Sequence, residues 1–139
     1  GRAYAELKAT FPLIGVAAEG TVALPGAAGG VPLELHHTHF LLVPGDRWGD
    51  EVPWIAGVAA VLAGSAPSAK VLVSGGEIAR QDVAHSLAAG RPVVVIAGTG
   101  RLADELAATP ERSSLLQAVD LAAEPGVVAS RLRALLEAE

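Results

Sequence analysis

Apolar positions along the chain fall into short uninterrupted runs separated by segments of mixed polarity. Residues 12–17, 39–43 and 92–97 form such runs, and residues 70–74 form a shorter fourth. Runs of this length, bounded by Gly or Pro, predict strands buried on both faces. Between them the apolar positions recur at helical spacing. Residues 51–63 are alanine-rich and predict a helix. Residues 77–89 direct Ile78, Val83 and Leu87 to a core and Arg80, Gln81 and Asp82 outward. Residues 101–108, 113–118 and 127–137 read as further helices. Gly90 gives a stop signal, and Pro125 is a first-turn residue for the last helix. Residues 3–9 read as the tail of a helix leading into the first strand. Residues 21–24 and 33–35 suggest a hairpin whose tip is the Gly/Ala/Pro loop 25–32.

From Thr38 onward strand and helix alternate, which is the pattern of βαβ units. The fold expected is therefore α/β: a Rossmann-like three-layer domain with a mainly parallel sheet. Residues 13–16, 40–43, 71–73 and 93–96 are expected in that one sheet, with helices on both faces. A Rossmann-like fold places one more strand and loop before the first helix, and this first strand–loop unit is missing from the pattern. With 139 residues, one domain over 1–139 is the natural count.

Composition narrows the chemistry. Fifteen Asp and Glu against ten Lys and Arg give a net charge of -5, which disfavours a nucleic-acid partner. An apolar content of 51% excludes a disordered chain. No cysteine is present, so disulfides, zinc–thiolate centres and cysteine nucleophiles are excluded. The longest apolar run, 55–63, is far short of a membrane span, no signal sequence opens the chain, and a cytoplasmic location is expected.

Ligands of open parallel sheets bind at the carboxyl ends of the strands. Two such ends carry glycine-rich turns leading into helices: Ser74-Gly75-Gly76-Glu77 and Gly98-Thr99-Gly100-Arg101. Glycine allows close backbone approach, a helix start offers free N–H donors, and Arg101 adds a cation. These residues are candidates for an anion site, with Asp104 placed to orient Arg101; glycines serving only the turns are the bland alternative. Neither turn is a Walker loop. Glu19-Gly20 also follows a strand. Trp48 could stack on a base, while Asp50 either holds ribose hydroxyls or caps the helix beginning near Glu51. His37 and His39 are expected on one strand face, with His36 pointing away. They suit a polar ligand better than a metal, and neither a metal nor a cofactor is expected. No Ser–His–Asp arrangement is present, and no catalytic residue is assigned.

The stretches Pro12-Leu13-Ile14-Gly15-Val16-Ala17, His37-Thr38-His39-Phe40-Leu41-Leu42-Val43, Gly75-Gly76-Glu77 and Gly98-Thr99-Gly100-Arg101-Leu102-Ala103-Asp104 together resemble a known family. They are similar to prokaryotic relatives of the amino-terminal domain of melastatin-type transient receptor potential channels, within the SLOG superfamily. The resemblance implies a nucleotide or nucleotide-sugar ligand of the ADP-ribose type, bound across the glycine turns, and a sensing role without catalysis. Output through a homo-oligomer, or through a membrane-protein partner encoded elsewhere, is expected. The superfamily also contains the "lonely guy" phosphoribohydrolases, whose motif is P-G-G-x-G-T-x-x-E. Here Ser74-Gly75-Gly76-Glu77-Ile78-Ala79 keeps only the paired glycines. A nucleotide-processing hydrolase, with Glu77 or Asp50 as acid/base and Arg101 as phosphate clamp, is the alternative.

Overall fold

The computed structural model describes residues 1–24, 26, 29–109, 113–124 and 126–137. The loop tip expected at 25–32, the connection at 109–113 and the first-turn Pro125 lie partly or wholly outside the described residues. The chain divides into two compact units, Gly1–Trp54 and Ile55–Glu139.

In the first unit a short helix α1 (Arg2–Glu6) precedes strand β1 (Ile14–Ala18). Short strands β2 (Val22–Ala23) and β3 (Val31–Pro32) follow, and then β4 (His39–Val43). β1 pairs with β4 in parallel, from Ile14 opposite His39 to Ala18 opposite Val43. Thr38 sets this register. Its hydroxyl accepts from Leu13 N–H at 2.8 Å and donates to Leu13 C=O at 3.0 Å. At the other end Gly20 N–H donates to Gly45 C=O at 2.9 Å. Ala18, Val43 and Val52 are buried. β2 and β3 pair in parallel and not as the antiparallel arms of the expected hairpin.

Helix α2 (Val52–Ala63) begins at the end of the first unit and continues into the second. The second unit alternates β5 (Lys70–Val73), α3 (Glu77–Ala88), β6 (Val93–Ala97), α4 (Arg101–Ala108), β7 (Leu116–Asp120) and α5 (Val127–Leu136). Its sheet has the order β5-β6-β7, with both pairs parallel. Right-handed crossovers put α3 and α4 on one face. Ala79, Val83 and Leu87 of α3 and Leu102, Ala103, Leu106 and Ala107 of α4 pack there on Leu72, Val93, Val95 and Leu116. On the opposite face Val128, Leu132 and Leu135 of α5 cover Val94, Ile96 and Val119. This is the Rossmann-like α/β layering that the alternating pattern predicts.

Three expectations need correction. The strands lie in separate sheets and not in one: β1 pairs with β4, whereas β5 and β6 pair with each other. Residues 113–118, read as helix, lead into β7. Leu116 and Val119 are both buried, facing opposite sides of the sheet, and β6 offers a free edge whose backbone groups need partners. On α3 the inward and outward faces differ from the periodic reading. Asp82 turns in to meet Lys70 Nζ at 2.5 Å, Ser86 is buried, and Ile78 is 38% exposed.

Leu102, 3% exposed between α4 and the sheet, is a direct probe of this core. Leu102→Ala is expected to lower unfolding free energy by about 2–5 kcal/mol. Leu121→Ala, at a side chain 60% exposed, is expected to change it by less than about 0.5 kcal/mol. Urea denaturation monitored by circular dichroism checks both.

Candidate functional site

Because β5 and β6 are adjacent and parallel, the turns leaving their carboxyl ends lie side by side. They are joined by one hydroxyl. Thr99 Oγ1 accepts from Ser74 N–H at 2.8 Å and donates to Ile96 C=O at 2.6 Å. Ser74 and Gly75 have φ of 56° and 91°, and Gly98, Gly100 and Arg101 have φ of 85°, 86° and 55°. Left-handed backbone costs a non-glycine residue roughly 1–2 kcal/mol. Ser74 and Arg101 are two of the three described non-glycine residues that adopt it. Such strain gathers where a backbone is shaped for a ligand.

The two helix starts differ in what they leave free. At α4, Leu102 N–H donates to Gly75 C=O at 3.3 Å and Ala103 N–H to Ser74 C=O at 2.9 Å. The donors expected to face a ligand from this turn are thus spent on its neighbour. At α3, Gly76 is the N-cap without a side-chain cap, and the first bond into the helix runs from Arg80 N–H to Gly76 C=O. The N–H groups of Glu77, Ile78 and Ala79 have no acceptor among the described residues.

Arg101 completes the arrangement. A Cβ placed on Gly76 would lie 2.6 Å from Arg101 Nη2, so the guanidinium lies directly over that glycine. A side chain at position 76 would push the guanidinium end aside. Asp104 does not orient Arg101 as expected; its Oδ1 accepts from Gly98 N–H at 2.7 Å and braces the turn. No carboxylate among the described residues pairs with Arg101. Arg80 instead gathers the nearby acids, meeting Glu105 at 2.6 Å and Glu77 at 3.5 Å, and Glu105 holds its guanidinium above the ordinary arginine range. Glu77 therefore faces Arg80. Asp120, at the end of β7, approaches Gly98 and was hidden from sequence reasoning because its strand read as helix.

The first unit places its candidates in two groups. Glu19 and Gly20 follow β1 and are tied to Gly45 by the Gly20 hydrogen bond. Asp50 Oδ2 accepts from Asp46 N–H at 3.0 Å and Arg47 N–H at 3.1 Å, so it closes the loop before α2 and does not cap that helix. Trp48 is 60% exposed. His37 and His39 lie at the opposite end of β4, about 13 Å from the loop by strand rise. Only His39 is in the strand. His36 and His37 both bond through Nδ1 to Glu34, His37 at 2.9 Å, so His36 does not point away from His37's partner. The hydrogen bond from His36 chiefly, with one from His37, holds the Glu34 carboxyl down from 4.5 to about 2. Glu34 was missed in the sequence, although a carboxylate two and three residues before adjacent histidines was the available signal.

The glycine turns, the Arg101 guanidinium over Gly76 and the uncapped start of α3 come together at the carboxyl ends of β5 and β6 in a Rossmann-like α/β fold. Residues 1–135 match the family described as SLOG in TRPM, prokaryote, and the chain belongs to this family. No curated protein matches it.

The hydroxyl bridge and the Glu34 cluster each give an expected outcome. Thr99→Val strands the Ser74 N–H and should destabilise the protein by about 1–3 kcal/mol in urea denaturation, whereas Thr99→Ser should recover most of that. The Glu34 carboxyl, lower in the folded than in the unfolded chain, contributes stability that is complete above pH 4.5 and is lost as pH falls through about 2. Carbon-detected NMR titration should find its midpoint near 2, rising toward 4.5 in the His36→Ala variant.

Proposed function

We propose that this domain is a non-catalytic sensor that binds a nucleotide or nucleotide-sugar of the ADP-ribose type through a phosphate at the glycine turns. The observation that carries the reading is the Arg101 guanidinium over Gly76, with no carboxylate partner among the described residues, beside the uncapped start of α3. A phosphate there accepts from the free N–H groups of α3 and from the arginine fork, and the helix dipole favours its charge. Gly75, Gly76, Glu77, Gly98, Thr99 and Gly100 shape that cradle through their backbone. Glu19, Gly20, Trp48 and Asp50 belong to the first unit and are not assigned to this phosphate. His37 and His39 are not assigned to the phosphate.

The family supports a nucleotide-related role in general. Output by self-association is consistent with α2, whose twelve residues include no charged side chain and whose Val61 and Leu62 are 82% and 65% exposed. The hydrolase alternative is weakened by the engagement of Glu77 with Arg80.

Calorimetric titration with ADP-ribose and AMP tests the reading. Arg101→Ala is expected to weaken binding by about 1.5–3 kcal/mol, the range for a charge-assisted hydrogen bond, with little change in folding stability. Unchanged affinity removes Arg101 from the site. Chromatography after incubation is expected to return both nucleotides intact, and a released base or ribose phosphate would favour the hydrolase.

A further inference from the structure

The carboxyl end of β7 carries a carboxylate that phosphate binding leaves unused. Asp120 closes that strand, in register with Ala97 of β6. Leu121 N–H donates to Ala97 C=O at 2.8 Å, which extends the pairing past β7 and holds Asp120 against the turn leaving β6. A Cβ placed on Gly98 would lie 3.9 Å from Asp120 Oδ1, so the carboxylate stands beside that glycine. Oδ1 accepts from Ala122 N–H at 2.7 Å, a bond that fixes the turn after the strand. Asp120 is exposed, its Oδ2 meets no donor among the described residues, and no cation there pairs with it.

The unit around this carboxylate selects what it meets. Gly98-Thr99-Gly100-Arg101-Leu102-Ala103 has glycine at its first and third positions and a small residue at its sixth, and Ala103 is fully buried where α4 meets the sheet. Nucleotide-binding βαβ units show this spacing, and in them an acidic residue about twenty positions further on takes a ribose hydroxyl. Asp120 stands at that place. The Leu102 and Ala103 N–H groups are spent on Gly75 and Ser74, which leaves a phosphate to the start of α3. Arg101 lies over Gly76 and Asp120 beside Gly98, so cation and carboxylate serve the ends of neighbouring strands, roughly 5 Å apart. A nucleoside 5′-phosphate covers such a separation from its phosphate to its ribose hydroxyls. An ionised carboxylate only accepts, and Oδ2 with the remaining lone pair of Oδ1 suits two vicinal hydroxyls.

We propose that Asp120 holds the vicinal hydroxyls of the ligand's ribose, an inference that rests on the phosphate reading above and names the sugar contact of the same site. Calorimetric titration of the full chain with AMP and with its 2′,3′-dideoxy analogue tests it. AMP is expected to bind about tenfold more tightly than the analogue, the loss that goes with a hydrogen bond to a charged group. Asp120→Ala should bring AMP down to the affinity of the analogue and leave the analogue itself unchanged. Asp120→Asn keeps the Oδ1 bond to Ala122 and loses the charge. It should weaken AMP by about threefold or more, again without effect on the analogue, and it decides the matter if Asp120→Ala does not fold. Arg101→Ala should weaken both nucleotides alike, because both carry the phosphate. Equal binding of the two by the unaltered chain, discrimination that survives both changes at Asp120, or an equal loss of both nucleotides in those variants would each overturn the sugar contact while the phosphate reading stands. Binding of neither nucleotide would overturn the phosphate reading and the sugar contact with it.

Discussion

Strand β6 has a neighbour on each edge and helices on each face, and Val93, Val94 and Val95 retain no exposed surface. A backbone so placed has no water to satisfy it, so every N–H and C=O must be met by the flanking strands. That requirement fixes its register against β5 and β7. Register in turn fixes where the chain emerges. Arg91 and Pro92 leave at one end and Gly98 to Arg101 at the other. The polar turn at its carboxyl end is thus placed by the most apolar segment of the molecule.

Two turns of similar sequence end in different electrostatic states because they are neighbours. The carbonyls of Ser74 and Gly75 satisfy the start of α4, and this arrangement depends on Thr99 holding the Ser74 amide. Among the described residues, the start of α3 receives nothing in return. A donor surplus remains at one helix and a cation leans over it from the other. Glycine spacing alone suggests two equivalent cradles, whereas the hydrogen-bond accounting leaves one.

Strands were legible in the sequence where burial on both faces produced unbroken apolar runs. β4 has the bounds that its run predicts, and β5 and β6 fall within theirs. Leu116-Gln117-Ala118-Val119-Asp120 was not legible. It has a single β-branched residue, and its apolar spacing suits either period; the open edge of β6 decides the outcome. Asp82 read as outward because periodicity cannot register a lysine 12 residues away whose charge draws it in. The Gly-Gly and Gly-Thr-Gly-Arg turns were visible as candidates. That Arg101 faces the space of Gly75-Gly76 was legible as well; the backbone angle that carries it there, one that arginine seldom adopts, was not.

That angle sets stability against ligand affinity at a single position. At φ 55° a glycine in place of Arg101 would relax the backbone by roughly 1–2 kcal/mol while removing the cation. Selection for a sturdier fold alone would therefore push this position toward glycine. Under the proposed phosphate role, fold stability and ligand affinity thus pull this one position in opposite directions.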